Sequence, residues 1–342
     1  MYTHDQIITD LKNKIFKPVY YLMGDEAYYI DAITSYIERN VLPEEEKSFN
    51  QTVLYGRDID LATMLNAARR FPMMSNHNVV IVKEAQALKG IEGVAAGAID
   101  PFLLYLENPA PSTILVINLR DKTLDKRKKI FKTLDKVGCL FESKKIYENK
   151  VGNWITQYVK ERKYTIDIKA AELMANHLGN DLAKVANEID KLLMAESPGL
   201  NITMKEIEEN IGISKDFNVF ELQAAIGKRN FQNAILIITH MAQNPKTKSI
   251  IPLISFLYSF FSKILLVHSV ADKSNSGIAS VLGINPFFAK DYLEAARNFN
   301  RAKSSMVIGV LREYDAKSKG IDYPTVDDGE LMKEMIFKIF TI

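Results

Sequence analysis

Gly24 is the residue best placed to do chemistry. It follows an apolar, β-rich run, Pro18-Val-Tyr-Tyr-Leu-Met23, and precedes a segment with helical spacing at 27–40. A glycine at such a strand–helix junction lets helix N-terminal amides close on a phosphate. The loop here reads Gly24-Asp-Glu-Ala-Tyr-Tyr. A P-loop needs GxxxxGK[ST]; this loop has no second glycine and no lysine, and Asp25 and Glu26 would repel phosphate. The chain's Gly-Lys pair, Gly227-Lys228, is followed by Arg229 and has Leu222 where the first glycine belongs. There is no GxGxxG, and Leu115-Val-Ile-Asn118 lacks the acidic pair that would hold magnesium and position water. Three parts of a nucleotide hydrolase are missing together.

The other chemistries fare no better. No GxSxG elbow is present. The single cysteine, Cys139, lies beside Leu140 and Phe141 and reads as a small buried hydrophobe rather than a nucleophile. One cysteine forms no intrachain disulfide and no multi-cysteine zinc site, which suits a reducing compartment. His4, His77, His177, His240 and His268 are scattered, with no HExxH pair, so no metal is expected. Acidic pairs such as Glu208-Glu209 and Asp327-Asp328 read as solvated faces. An N-terminus of Met-Tyr-Thr-His-Asp-Gln carries no basic, then apolar, leader; a cytoplasmic protein is expected.

The elements that must position any site divide the chain. With 342 residues, at about 150 per domain, two or three domains are expected. In the first 145 residues, β-rich runs at 18–23, 51–55, 78–82, 113–118 and 139–141 alternate with helical spacing at 27–40, 58–69, 91–107 and 124–136. That alternation predicts βαβ units and a parallel sheet. The runs are continuously apolar, so both sheet faces should be covered, giving a doubly wound α/β domain over 1–146. Beyond residue 146 the strand signal disappears. Leu182, Val185, Ile189, Leu192 and Leu193 form a helical stripe, and Thr203-Met-Lys-Glu206 fits a capping box. A small helical domain is expected over 147–212 and a second helical domain over 213–342. In the latter, Met306, Val307, Val310, Leu311 and Tyr314 should share one face.

Residues 250–267 are apolar enough to suggest a membrane span. They include Pro252, Ser255, Ser259, Ser262 and Lys263, and a mid-span charge costs about 2.5 kcal/mol or more. A buried helix and no membrane partner are expected. Net charge is +2, from 44 basic and 42 acidic residues. That gives no reason for a nucleic-acid coat but leaves room for a local patch.

Four segments, in order along nearly the whole chain, carry a resemblance: Pro18-Val-Tyr-Tyr-Leu-Met-Gly-Asp-Glu-Ala-Tyr-Tyr-Ile30; residues 178–192, beginning Leu178-Gly-Asn-Asp; Gly212-Ile-Ser-Lys-Asp-Phe-Asn-Val-Phe-Glu-Leu222; and Leu311-Arg-Glu-Tyr-Asp-Ala-Lys-Ser-Lys-Gly320. Together they resemble the delta-subunit family of bacterial DNA polymerase III, the clamp-loader subunit that opens the sliding clamp. The resemblance implies an AAA+-like α/β domain, a helical lid and a helical collar that assembles with the tau/gamma and delta prime subunits. It also implies that ATP is bound by those partners and not by this chain. Ala183 stands at the likeness's phosphate-sensing arginine position, and no Ser-Arg-Cys motif occurs.

By the same resemblance the clamp (beta) is gripped by two large apolar residues between a helix and the third strand. In Arg70-Phe-Pro-Met-Met-Ser75 these fall on Met73 and Met74, with Pro72 pre-setting the backbone and Phe71 as an alternative anchor. From the residues alone, the pair would instead plug the domain's own helix–sheet core. For primer–template DNA, the basic cluster of Lys122, Lys126, Arg127, Lys128, Lys129, Lys132 and Lys136 faces Asp121, Asp125 and Asp135, seven positives against three negatives, net +4. Its first part should lie on a helix, either as a solvated face or as sequence-blind backbone contact. Tyr323 is a template-facing alternative to loop packing. Two further readings remain: a degenerate AAA+ ATPase and an autonomous DNA-binding module.

Overall fold

The computed structural model describes residues 1–94, 99–195, 197, 199–211, 219–244, 248–321 and 326–342. Two compact units, Met1–Ile146 and Tyr147–Ile342, make up the chain.

The first unit runs α1 (His4–Lys12), β1 (Val19–Gly24), α2 (Ala27–Asn40), α3 (Glu44–Asn50), β2 (Gln51–Tyr55), α4 (Leu61–Ala68), β3 (Asn78–Lys83), α5 (Pro101–Glu107), β4 (Thr113–Arg120), α6 (Lys129–Val137) and β5 (Cys139–Ser143). Polar caps start several helices. Thr3 and Gln6 form a capping box for α1, Asp60 accepts from the Thr63 amide at α4, and Asp100 precedes Pro101 at α5. The five strands lie in the order β2-β3-β4-β1-β5, every neighbouring pair parallel.

The expected doubly wound sheet is present, and its strands show why their runs are continuous. Tyr20, Leu22, Val79, Ile81, Ile114 and Val116 pack with Ile7, Ile30, Ile33 and Ile37 of α1 and α2. The alternate residues Val19, Tyr21, Met23, Val80, Val82, Leu115 and Ile117 pack with Met64, Leu65, Phe102, Leu106, Ile130 and Leu134 of α4, α5 and α6. Both faces are therefore buried, as parallel sheets require.

Helix boundaries differ from the periodicity. Among the described residues, the helical spacing at 91–107 yields α5, and that at 124–136 yields α6 from Lys129. Neither α1 nor α3 was expected, because both are short and rich in polar residues.

The second unit runs α7 (Glu148–Glu161), β6 (Thr165–Ile166), α8 (Ile168–Leu178), α9 (Leu182–Ala195), β7 (Asn201–Ile202), α10 (Met204–Ile211), α11 (Val219–Gly227), α12 (Phe231–Gln243), α13 (Ile250–Ser269), α14 (Asn275–Leu282), α15 (Ala289–Asn298), α16 (Arg301–Ser318) and α17 (Asp328–Thr341). It is helical apart from one correction: β6 and β7 form a two-residue parallel pair, too short to leave a periodic signal. At α10 the expected pair caps the helix start: Glu206 Oε2 accepts from the Thr203 amide at 2.7 Å, and Thr203 Oγ1 accepts from the Lys205 amide at 3.2 Å, one residue before the position a full capping box uses. Helix α13 is long and apolar enough to cross a bilayer, but Leu253, Leu257, Phe260, Phe261, Ile264 and Val267 lie in the core formed with α11, α12 and α14–α17. On α16, Val307, Val310, Leu311 and Tyr314 are buried as expected; Met306 is not, and projects to solvent.

Candidate functional site

Residues 69–77 join the end of α4 to β3. Because all strands are parallel, this loop lies at the N-terminal edge of the sheet, opposite the edge that carries Gly24. Helix α3 runs straight into β2, and β2 pairs with β3 with Gln51 opposite Val79. That register sets Asn50 beside the loop feeding β3. Its buried side-chain amide closes on the backbone of one residue: the Met73 amide donates to Asn50 Oδ1 at 2.6 Å and Asn50 Nδ2 donates to the Met73 carbonyl at 2.9 Å. Asn50 Nδ2 also reaches the Glu46 carbonyl at 3.2 Å. At the far end of the loop, buried Asn78 donates to the Ala67 carbonyl at 3.0 Å, and the His77 ring packs edge-on against Phe16 at 5.2 Å.

Between these fixed points the apolar side chains face outward. Phe71 is 88% exposed, Met73 57% and Met74 fully exposed. Met74 also holds φ at 53°, a left-handed conformation uncommon outside glycine and asparagine. The residues therefore do not plug the helix–sheet core: Met64, Leu65 and Ala68 of α4 fill that role. Three large apolar side chains on one short exposed loop, tied down by buried asparagines, form a presented apolar patch. The structure places Pro72, half-buried, within it. Asn50 was invisible in the sequence, since its contact spans 23 residues and asparagine at a helix end is commonplace.

At the opposite edge, the amides that would cradle a phosphate are taken by the chain itself. Gly24 N–H donates to the Lys122 carbonyl at 3.1 Å, Asp25 N–H to the Ser143 carbonyl at 3.2 Å and Glu26 N–H to Ser143 Oγ at 3.2 Å. Glu26, itself buried, accepts from the Tyr28 amide at 3.3 Å and caps α2 with its own carboxylate. Gly24 has φ of 123°, and a Cβ there would collide with the Ser143 carbonyl oxygen. On β4, Asn118 occupies a buried position and exchanges hydrogen bonds with Thr34. Ala183 is exposed in the first turn of α9.

The basic cluster departs from expectation in two ways. Lys126, Arg127 and Lys128 lie in a turn before α6, not on a helix, because Asp125 Oδ1 accepts from the Arg127 amide at 2.9 Å and folds the chain locally. Arg127 beside it holds the Asp125 carboxyl down at about 2. The cations also have acidic neighbours from distant segments. Lys126 lies 3.5 Å from Glu142, Lys129 3.0 Å from Glu107 and Lys128 3.9 Å from Glu92, which also pairs with Lys122. Arg127 pairs with Asp125 at 2.8 Å. Tyr323 lies outside the described residues. Cys139 is buried in β5, and burial pushes its thiol up to about 12, which leaves it inert. Among the described residues no cluster of His, Cys, Asp and Glu is arranged to hold a metal.

Fold and site together define a doubly wound α/β unit with an internally hydrogen-bonded loop after its first strand and an outward-facing apolar loop, followed by a helical unit. The model of the family "DNA polymerase III, delta subunit" matches residues 20–144, and that of the family's C-terminal domain matches residues 216–340. The chain belongs to the DNA polymerase III delta-subunit family. It is 26% identical to the Bacillus subtilis DNA polymerase III subunit delta over 337 residues, 97% of this chain and 94% of that one. It is 22% identical to a probable DNA polymerase III subunit delta of Aquifex aeolicus over 316 residues, 88% and 86% of the two chains. The solved Bacillus subtilis DNA clamp loader delta protein shares its fold, with a TM-score of 0.58 at 24% identity across 99% of this chain and 100% of that one.

Proposed function

We propose that this chain is the subunit of a DNA polymerase III clamp loader that seizes the ring-shaped sliding clamp and favours its open form. The observation that carries the reading is the presented loop: Phe71, Met73 and Met74 stand in solvent on a backbone fixed by Asn50 and Asn78. Long, adaptable methionines suit a partner's apolar pocket. A gripping element that binds the sprung ring better than the closed one shifts the ring towards opening by that difference in affinity. Met73→Ala/Met74→Ala should cost about 2–4 kcal/mol of clamp affinity, as truncated hot spots do, with the melting transition kept. Clamp binding by surface plasmon resonance, using the organism's own clamp, checks this; native affinity in the double variant would sink the reading.

In this reading the chain binds no ATP. The support is the loop after β1, whose amides already donate to Lys122 and Ser143 and whose helix is capped by Glu26. ATP then sits on tau/gamma partners, which together with delta prime would assemble through a collar domain at residues 213–342; residues 147–212 would be the helical lid domain and residues 1–146 the clamp-binding domain. The site of action is the cytoplasm, on primed DNA. The internal pairs of Lys126, Arg127, Lys128 and Lys129 argue against autonomous DNA binding, and any phosphate contact they make in the loader exchanges those pairs for phosphates. Isothermal titration of ATP into the isolated chain should give no heat of binding. Micromolar binding would favour the degenerate-ATPase alternative instead.

A further inference from the structure

Asn50 is 2% exposed and spends its side-chain amide on one backbone unit, the N–H and C=O of Met73. Asparagine is suited to this because its amide carries an acceptor and a donor side by side, matching the two groups that a neighbouring β-strand would offer. We infer that Asn50 is the positioning residue for clamp capture: it acts as a one-residue strand that pins Met73, and so holds Met74 outward in its left-handed conformation before the clamp arrives. This deepens the clamp-gripping reading and rests on it.

The physical need is plain. A loop of nine residues between α4 and β3 has many conformations, and ordering it on binding subtracts from affinity. A left-handed methionine persists only where the surroundings over-determine it. Asn78 fixes the start of β3 and the end of α4 but does not reach the middle of the loop. Met73 is the middle, and Asn50 holds it. Asn50 is in turn anchored by the Glu46 carbonyl, one turn back on α3.

The test compares Asn50→Ala, the isosteric Asn50→Asp and Met74→Ala in the full chain. Asn50→Asp keeps an acceptor for the Met73 amide but loses the donor and sets a carboxylate against the Met73 carbonyl; its equal size protects against failure to fold. Three quantities are read: hydrogen exchange at the Met73 amide in the free chain, exchange in β1, β3 and β4, and affinity for the organism's own clamp well below the melting temperature. The expected result is loss of Met73 amide protection in Asn50→Ala, which removes its acceptor, and for both Asn50 variants unchanged strand protection and clamp binding weaker by about tenfold or more, since each lost 1.4 kcal/mol of preorganisation is a factor of ten. A merely structural asparagine would move the strands with the loop, and that result overturns the inference. So does unchanged Met73 exchange in Asn50→Ala, or native clamp affinity in the Asn50 variants when Met74→Ala has lost it; in those cases the clamp reading survives alone. Native clamp affinity in Met74→Ala would remove both.

Discussion

At Gly24 a single added methyl group tests the whole strand–helix junction. Its φ of 123° and the Ser143 carbonyl lying against it leave no room for a side chain. Gly24→Ala should therefore lower stability by about 3 kcal/mol or more, through a strained backbone and a displaced β5, visible as a drop in the midpoint of chemical denaturation. Two residues on, Glu26→Ala removes the carboxylate that caps α2 and should cost about 1 kcal/mol in the same assay. The sequence made Gly24 legible as a turn and Asp25-Glu26 as hostile to phosphate. It could not show that Ser143, 117 residues away from Glu26, fills the cradle. The same limit hid Asn50. It also made the core reading of Met73 and Met74 look natural, because apolar type speaks for burial until three-dimensional packing shows that α4 has already filled the space.

Between elements, Glu172 of α8 and Lys263 of α13 are half-buried groups of opposite charge that act on each other electrostatically. Burial pushes the Glu172 carboxyl above its ordinary value of 4.5, tempered by Lys263, and burial pushes Lys263 below its ordinary 10.5, tempered by Glu172. The signs oppose each other. A raised carboxyl binds its proton more readily in the folded state, so its contribution is full below 4.5 and is lost as pH rises through the folded value. A depressed lysine contributes fully above 10.5 and loses that as pH falls through its folded value. Thermal melts of Glu172→Gln should thus show a smaller loss of stability than the native chain as pH rises just beyond the ordinary carboxyl range. The double variant Glu172→Gln/Lys263→Met should be at least as stable as native near neutrality, because apolar or neutral groups of similar size replace desolvated charges without penalty. Elements themselves were well foreseen where periodicity was long: five strands and the α9 stripe. They were missed where a run was short, as in β6 and β7, or where local hydrogen bonding won, as when Asp125 folded Lys126–Lys128 into a turn.

On the scale of the molecule, a local excess of positive charge is offset by pairing across the fold. The window 121–136 counts as net +4, yet Glu92, Glu107 and Glu142 come from other segments to sit among its cations. Glu92→Gln should free Lys122, while Lys128 keeps the Glu92 backbone carbonyl at 3.1 Å, and should steepen the salt dependence of duplex DNA binding by a slope of about 0.9 for each cation that then reaches a phosphate. Fluorescence anisotropy at several salt concentrations reads this, and an unchanged slope would mean the pairs do not restrain those lysines. Charge counts along a window could not anticipate such pairing, whereas the two-face burial of the sheet was fully written in continuous apolar runs. The lone thiol has a practical consequence as well. Cys139 is buried, and its pKa of about 12 keeps it protonated at neutral pH. The native chain is therefore already a silent background for maleimide chemistry, and a cysteine introduced at the fully exposed position 74 would accept a fluorophore alone, turning the arrival of a partner at that loop into an optical signal.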